Sequence, residues 1–367
     1  MSTLLVIAGM IKIAIIFVAA LALLVLVHEA GHFMVAKIVG MRVDEFGIGF
    51  PPRALTIGRW GDTAYTLNWL PLGGFVRIYG EDGGVEENGA HTAPPKAFTA
   101  KSSLAQALVL VAGVTMNIVL AWVCILGALT LGTPSMLAVD RVLPHSPAAQ
   151  AGLEPGDVIT QARGGAVSWS GADPTTFAHF ISNDTSAPIQ LSIVRAGEHR
   201  VLTITPSQNI IPSAPTHYAI GVETVVSGAA PIAFSKAFER SFSVTWQVTA
   251  ASAGSLVHFF GKALTFSANL TNVAGPIGIA GIVGNAPASG PGYFLFILAL
   301  ISINLAIINL IPIPALDGGR LLFVVVEALT RRKIPPRFAQ TANTIGLAFI
   351  IGLVLIVSVH DVFRLLG

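Results

Sequence analysis

Residues 25–32 read Val25-Leu26-Val27-His28-Glu29-Ala30-Gly31-His32, a His-Glu-x-x-His pattern within one of the most apolar segments of the chain. On a helix, residues four positions apart share a face, so His28 and His32 can bind one metal ion together. Glu29 then lies beside the metal, where its carboxylate can take a proton from an activated water molecule. The alternative is a pair of ordinary interior histidines. Ionisable groups are expensive in such an apolar segment and mark function there, which favours a zinc site.

The composition indicates a membrane protein. The 367 residues are 53% hydrophobic and only 11% charged, with a mean hydropathy of +0.74, whereas soluble domains carry about 25% charged residues. The net charge of +2, without a basic stripe, gives no indication of nucleic-acid binding. A single cysteine, Cys124, excludes an internal disulfide and a multi-cysteine metal cage. It lies in an apolar run, where it is expected to pack. A zinc site must then use histidine and carboxylate, the ligand set of catalytic sites.

Four apolar stretches reach the roughly 20 residues that a membrane-spanning helix needs. They cover residues 3–39, 104–132, 293–311 and 341–366. A cleaved signal peptide is the competing interpretation of the first, but Lys12 comes late and no small-residue cleavage site follows. The sequence therefore predicts a polytopic α-helical membrane protein with about four transmembrane helices.

Residues 42–79 alternate between apolar and polar side chains and are interrupted by Pro51-Pro52, Gly61-Asp62 and Gly73-Gly74. This pattern predicts a small antiparallel sheet that lies against the membrane near the metal site. Its edge could receive an extended peptide as an added strand, or the segment could be a surface hairpin without a substrate role. Residues 80–103 are polar and rich in glycine and proline, which predicts a flexible loop.

Two later spans carry polar residues that need an explanation. In the second span, Gly113 permits close helix approach, and Asn117 either makes an interhelical packing bond or contributes to the site. The third span runs into Asn309-Leu310-Ile311-Pro312-Ile313-Pro314-Ala315-Leu316-Asp317-Gly318-Gly319. Its two prolines break the helix, which a membrane tolerates only inside protein or beside a wet cavity. Asp317, beside this break, is either a helix N-cap, a metal ligand, or both.

Residues 134–205 contain several short strand-like runs and are predicted to form a separate soluble domain. Residues 146–159 resemble the signature of PDZ domains in bacterial envelope proteases, with Gly152, Leu153, Gly156 and Asp157 in the signature loop. The resemblance implies an α+β module that binds peptides or limits substrate size. Further along, residues 234–266 have the mixed composition of an interfacial amphipathic helix, and the glycines of 272–281 exclude a regular long helix.

The distribution of basic residues predicts the orientation. Residues 331–337 contain four of them, between spans three and four, and others lie near the ends of spans one and two. The positive-inside rule then places these connections in the cytosol, with both termini and the 134–205 module outside. Spans one and three run in the same direction, so Asp317 should lie at a depth similar to that of His28 and His32. Three ligands would leave the fourth zinc position open for water.

Taken in order, H28-E-A-G-H32, G113-V-T-M-N117, the single PDZ-like insert and N309-L-I-P-I-P-A-L-D317-G-G resemble the site-2 protease family of intramembrane zinc metalloproteases, especially its bacterial sigma-E-regulating branch. The resemblance covers nearly the whole chain. One departure is that the best-known enterobacterial branch carries two tandem PDZ modules, and this chain carries one.

The resemblance implies one zinc ion bound by His28, His32 and Asp317, with Glu29 as general base and acid. It implies that Asn309, and also Asn304, hold the substrate or transition state, and that residues 42–79 clamp an unwound substrate helix. The expected partners are membrane lipid, single-pass membrane protein substrates such as anti-sigma factors or remnant signal peptides, and a peptide ligand of the PDZ-like module. The expected location is the bacterial cytoplasmic (inner) membrane.

Two other classes compete with this interpretation. An inactive PDZ-bearing membrane scaffold would have no use for Glu29 as a base, and a transporter would be expected to show an inverted repeat.

The predicted segments are a first helix (1–39), a β-region with its loop (40–103), a second helix (104–132), the PDZ module (133–228), an interfacial connection (229–292), a third helix with the proline break (293–330) and a fourth helix (331–367).

Overall fold

The computed structural model describes residues 2–81, 95–165, 167–183, 187–195, 198–210, 216–264 and 275–366. The helices are α1 (Ser2–Ile38), α2 (Ser103–Leu131), α3 (Pro147–Gln150), α4 (Pro174–Asn183), α5 (Phe234–Leu264), α6 (Pro276–Asn285), α7 (Pro291–Leu310), α8 (Asp317–Thr330) and α9 (Pro336–Leu366). The strands are β1 (Val43–Trp60), β2 (Thr63–Ile78), β3 (Thr133–Val142), β4 (Val158–Gly164), β5 (Val167–Ser170), β6 (Ile189–Arg195), β7 (Glu198–Ile204) and β8 (Val222–Ala229). The chain divides into two compact units: residues 1–126, 238–284 and 295–367 form one, and residues 127–237 and 285–294 form the other.

Four of the described helices are long and apolar enough to cross a membrane, at Ile7–Ile38, Ser103–Leu131, Pro291–Leu310 and Arg337–Phe363. They confirm the predicted class of membrane protein. A spanning helix satisfies every backbone polar group within itself, which is why these uninterrupted apolar runs form helices. The third span ends at Leu310, just before Pro312-Ile313-Pro314, as the proline break requires.

Helices α1 and α2 pack closely because glycine replaces a side chain at their contact. A Cβ atom on Gly31 would lie 2.5 Å from the carbonyl oxygen of Ala112 and 2.9 Å from Cγ of Met116. Small residues at such positions let two spanning helices approach each other, so that dispersion forces hold them together. This close approach brings α2 against the helix face that carries the two histidines.

Strands β1 and β2 form the predicted antiparallel sheet, with a more complex register than a simple hairpin. Residues 45–48 pair on one side with 64–67 and on the other with 74–77, while residues 53–60 pair with 63–68. The long strands therefore fold into four short rows, with residues 45–48 in a central row and residues 74–77 in an outer row. That outer row lies beside α1, where it meets the metal motif.

Residues 82–94 of the segment predicted as a flexible loop (80–103) lie outside the described residues. Residues Phe98–Ala100 form a 3-10 turn, and Phe98 is buried in a cluster with Val109 and Ile78. The backbone N–H of Phe98 donates to the carbonyl of Tyr79 at 2.8 Å. One buried aromatic side chain therefore anchors this part of the predicted loop to the rest of the unit.

The second unit contains a six-stranded sheet with the order β7-β6-β4-β3-β8, and β5 pairs with β4. All of its pairings are antiparallel. Its core combines the inward side chains of the sheet with Phe177, Phe180 and Ile181 of α4. The sheet extends to Ala229, beyond the end predicted for the strand-like runs, because β8 returns to pair with β3.

The predicted signature loop of this unit has a structural role that the contacts explain. Asp157 is buried, and Arg195 donates to both of its carboxylate oxygens at 2.7 Å and to the carbonyl of Gly152 at 2.6 Å. Asp157 raises the pKa of the Arg195 guanidinium. Gly152 and Gly156 have φ values of +79° and +93°, which glycine adopts without the cost that a side chain adds. One bidentate ion pair therefore fixes the loop between α3 and β4 against the end of β6.

The connection between the second unit and the third span contains two helices. In α5, the aromatic side chains of Phe238, Phe242 and Trp246 are exposed, and Trp122 of α2 packs against the first two. An exposed aromatic stripe fits the predicted interfacial helix. The glycine-rich stretch predicted over 272–281 contains the start of the ten-residue helix α6, and residues 272–274 lie outside the described part of the chain.

Candidate metal centre

The structure brings together three side chains that the sequence places far apart. Nε2 of His28 lies 2.9 Å from Oδ2 of Asp317, and Nε2 of His32 lies 3.2 Å from the same oxygen. The two Nε2 atoms are 3.0 Å apart. Both histidines are buried and Asp317 is partly buried. One potential ligand atom from each residue therefore points at a common centre, within 4.8 Å of the others.

The position of α2 depends on Gly113. A Cβ atom at this residue would lie 2.7 Å from both Cε1 and Nε2 of His28 and would contact Nε2 of His32 even more closely. Nδ1 of His32 donates to the carbonyl of Val109 at 2.8 Å, one helical turn before Gly113. Helix α2 thus covers the imidazoles with bare backbone and also fixes the orientation of one ring.

Asp317 is the first residue of α8, and Leu316 occupies the N-cap position without a side-chain capping bond. The side chain of Asp317 instead lies against the two histidines. Its backbone is positioned by a tight return of the chain after the proline break, where Gly318 and Gly319 leave no room for a Cβ atom beside the carbonyls of Leu310, Ile311 and Ile313.

Glu29 follows His28 on α1 and lies beside the same cluster of side chains. Its Oε2 accepts a hydrogen bond of 3.0 Å from the backbone N–H of Val76, in the outer row of the β1–β2 sheet. Glu29 also lines a cavity of about 200 Å³ together with His28, Asn309 and Asp317. The remaining walls of this cavity are formed by Val25, Leu305, Ala315 and Leu316. This small space therefore adjoins the cluster of His28 and Asp317, the carboxylate of Glu29 and the carboxamide of Asn309.

The three asparagines predicted for the site occupy different positions. Asn309 lines the cavity, and its Nδ2 lies 3.5 Å from Nε2 of His28. Asn304 is half-buried on α7 and is not among the described residues that line the cavity. Asn117 is fully buried, and its Nδ2 lies 3.2 Å from Nδ1 of His28, on the side of the ring away from Asp317.

The sequence interpretation missed three groups that contact this site. They are the backbone N–H of Val76, the carbonyl of Val109, and the side chain of Asn343 on α9, whose Oδ1 accepts from the N–H of Ala315 at 3.1 Å. Two of these groups belong to the backbone, which carries no residue-type signal. Asn343 is a polar residue in an apolar span, which was an available signal.

The donor set fits a zinc ion. Two imidazole nitrogens and one carboxylate oxygen are typical of catalytic zinc sites, which keep a fourth position open for water or substrate. Thiolate ligands play no part, since the only cysteine, Cys124, is buried elsewhere on α2. The residues are therefore those that a hydrolytic zinc site uses.

Comparison with known proteins supports the same chemistry. The family model described as Peptidase family M50 matches residues 16–353. A Clostridium perfringens protein whose name includes "zinc metalloprotease" is 31% identical over 344 residues, covering 94% of this chain and 96% of its own length. A similarly named Nostoc protein is 33% identical over 362 residues, covering 95% of each chain. The zinc metalloprotease RasP of Oceanobacillus iheyensis is 28% identical over 431 residues, covering 95% of this chain and 98% of its own.

These matches span nearly all of the chain and agree with the four apolar helices and the histidine–carboxylate cluster. The cofactor is zinc, and the activity is that of a metalloprotease acting in the membrane. The chain belongs to peptidase family M50, the site-2 protease family of zinc metalloproteases.

Proposed function

We propose that this protease cleaves the membrane-spanning segments of single-pass membrane proteins, with His28, His32 and Asp317 holding one zinc ion. The observation that carries the proposal is the convergence of these three ligand atoms beside a cavity that Glu29 lines together with His28 and Asp317. When bound, zinc supplies Lewis acidity, which activates a water molecule and polarises the scissile carbonyl. The inactive-scaffold alternative is not retained, because the family and the named relatives are those of an enzyme.

Glu29 is proposed as the general base and acid. A carboxylate beside the activated water takes its proton and passes it to the leaving amine. The N–H of Val76 holds Oε2 of Glu29, which leaves the other carboxylate oxygen for the proton. Asn309 lines the cavity beside His28, where its Nδ2 can donate to the oxygen on which negative charge develops.

The outer row of the β1–β2 sheet is proposed to hold the substrate. A helical substrate hides its carbonyls in backbone hydrogen bonds, so the segment must unwind before a carbonyl can reach the site. Residues 74–77 form the row next to Glu29, and an extended segment added along a sheet edge gains main-chain hydrogen bonds that replace those lost on unwinding. The sheet therefore gives the unwound segment a place beside the cavity.

The second unit is proposed to be the PDZ domain that the signature predicts, with a groove for an extended peptide. Strand β8 ends the sheet, and a cavity of about 830 Å³ runs between α4 and residues 217–224. Its walls include Phe177, Ala178 and Ile181 from α4. Addition of a peptide strand to β8 would place the peptide side chains against this apolar helix face.

The groove is tested with Ala178→Arg, which places a long charged side chain on the exposed face of α4. Gln190→Arg, at an exposed position of β6, is the control. Loss of cleavage of a reporter with an extended extracytoplasmic tail, in the first variant alone, is the expected result. If neither variant changes cleavage but removal of the unit admits substrates with bulky ectodomains, the unit limits substrate size instead.

The proposed orientation places residues 331–337 in the cytosol and both termini outside, in a bacterial cytoplasmic membrane. The only natural cysteine is buried, so single cysteines introduced at Arg332 and at Ser170 can be labelled without background. We expect an impermeant maleimide added to intact cells to label the second position alone. Labelling of the cysteine at position 332 alone would show that the orientation is the opposite one.

The central experiment measures cleavage of a panel of single-pass reporter proteins in reconstituted membranes. Glu29→Gln should retain zinc but lose cleavage, and Asp317→Ala should weaken zinc binding. Glu239→Gln, at an exposed carboxylate on α5, serves as the matched control and should cleave normally. Retained turnover in Glu29→Gln would show that Glu29 is not the general base.

A further inference from the structure

The buried side chain of Asn117 presents an unusual arrangement next to the metal centre. Its Nδ2 faces Nδ1 of His28 at 3.2 Å, and its Oδ1 is buried without a hydrogen-bond partner among the described residues. A buried carbonyl oxygen without a partner costs free energy in an apolar span. Such an orphan beside a ligand histidine requires an explanation.

The tautomer of His28 provides it. Nε2 of His28 is the atom that points at Asp317 and at Nε2 of His32, so it is the atom placed to bind a metal ion. A metal-binding imidazole nitrogen carries no proton, so the proton of the neutral ring must then sit on Nδ1. Nδ1 becomes a donor, and it needs an acceptor.

The second histidine shows the same requirement already met. Nδ1 of His32 donates to the carbonyl of Val109 at 2.8 Å. Nδ1 of His28 has the Asn117 carboxamide in the corresponding position. The two ends of a carboxamide are nearly the same size, so a half-turn about the Cβ–Cγ bond exchanges oxygen and nitrogen without repacking.

We propose that Asn117 is a positioning residue, whose Oδ1 accepts the Nδ1–H of His28 and keeps Nε2 free to bind zinc. This inference rests on the proposed function of His28 as a ligand, and it gives Asn117 a role different from substrate contact. The Asn117 carboxamide therefore faces Nδ1 of His28 as the carbonyl of Val109 faces Nδ1 of His32.

The backbone around Asn117 supports a fixed position for this side chain. The hydroxyl of Ser302 on α7 donates to the backbone carbonyl of Asn117 at 2.7 Å, and both residues are fully buried. Ser302→Ala removes this interhelical bond but leaves the carboxamide in place. It is thus a matched control for the packing of α2 against α7.

The test compares zinc affinity in the full-length protein in detergent, measured by competition with a chromogenic chelator. Asn117→Leu keeps the side-chain size but has no acceptor, and we expect about 10- to 100-fold weaker zinc binding, the usual loss for a partner of a ligand histidine. Asn117→Asp retains an acceptor and should bind zinc as tightly as the wild type or more tightly. Ser302→Ala should be unchanged.

Cobalt substitution gives a second readout that a purely structural role would not move. The visible absorption bands of bound Co²⁺ report ligand geometry, and we expect them to shift in Asn117→Leu but not in Asn117→Asp. If Asn117→Leu does not fold, Asn117→Ser, which is too short to reach His28, replaces it. Equal zinc affinity in all variants, or equal loss in the aspartate and leucine variants, would overturn the inference.

These outcomes are separable from those of the proposed function, since zinc affinity is measured without substrate. The expected order of affinities with no cleavage by the wild type would contradict the proposed protease reaction alone. Cleavage by the wild type with unchanged zinc affinity in Asn117→Leu would contradict the role of Asn117 alone.

Discussion

At the scale of single residues, the metal centre depends on what is missing at position 113. A Cβ atom there would lie 2.7 Å from the ring of His28, and both rings are also held by neighbours on other sides. Overpacking of this kind costs about 1–3 kcal/mol in a close-packed interior. The strain would fall on the two rings that are placed to hold zinc.

We therefore expect Gly113→Ala to reduce zinc affinity by about tenfold or more, since a loss of about 1.4 kcal/mol of binding free energy corresponds to tenfold. The measurement is the chelator competition described for Asn117. Gly352→Ala, on α9, is the control, because a Cβ atom there would meet nothing within 4 Å. Normal zinc binding in Gly113→Ala would show that α2 can move away from the histidines.

At this scale, the sequence also predicted which three side chains the structure brings together. The spacing of His28 and His32 predicts a shared helix face, and Asp317 could be added because two spans run in the same direction. The contacts of Asn117 with His28 and of Val76 with Glu29 could not be predicted. They join positions 89 and 47 residues apart, and no local pattern encodes such pairings.

At the scale of elements, the return loop between α7 and α8 determines where Asp317 lies. Ala315 has a φ of +79°, a left-handed conformation that costs a side-chain-bearing residue about 1–2 kcal/mol. Its N–H is held by the side chain of Asn343 on α9. The fourth span thus supports the loop that positions Asp317.

Substitutions at Ala315 should separate backbone conformation from side-chain loss. Ala315→Gly removes the left-handed penalty, and we expect zinc affinity to stay within about threefold of the wild type because glycine adopts this φ freely. Ala315→Val introduces a β-branched side chain that resists this conformation and should weaken zinc binding and lower the unfolding temperature. Equal behaviour of the two variants, measured by chelator competition and thermal unfolding, would show that the loop conformation does not matter.

The β1–β2 sheet shows how far element prediction reaches. Alternation and turn residues predict two antiparallel strands, and the structure confirms them. The double pairing of residues 45–48 was not predicted, because it depends on long strands that bend after residue 50 and pair again. The exposed aromatic side chains of Trp60 and Trp69, each 71% exposed, fit the predicted position of this sheet against the membrane.

At the scale of the whole molecule, the described residues that form the metal centre all belong to one compact unit, residues 1–126, 238–284 and 295–367. The six-stranded sheet of the other unit begins and ends at one place. Thr133 at the start of β3 pairs with Ala229 at the end of β8, so their Cα atoms lie about 4.5–5.5 Å apart, as antiparallel partners do. A short linker can therefore replace residues 134–228.

Removal of residues 134–228, with a short glycine–serine linker between Thr133 and Ala229, should leave zinc affinity unchanged, because every proposed ligand and partner of a ligand is retained. Chelator competition on the purified protein measures this.

Asp157→Ala is a matched variant that keeps the full length of the chain. It leaves the guanidinium of Arg195 without its bidentate partner, and breaking such a buried pair costs about 3–5 kcal/mol. We expect it to unfold the second unit at a lower temperature while zinc binding remains normal. Loss of zinc affinity in both variants would mean that the metal centre needs the second unit to fold, and that the two units are not independent.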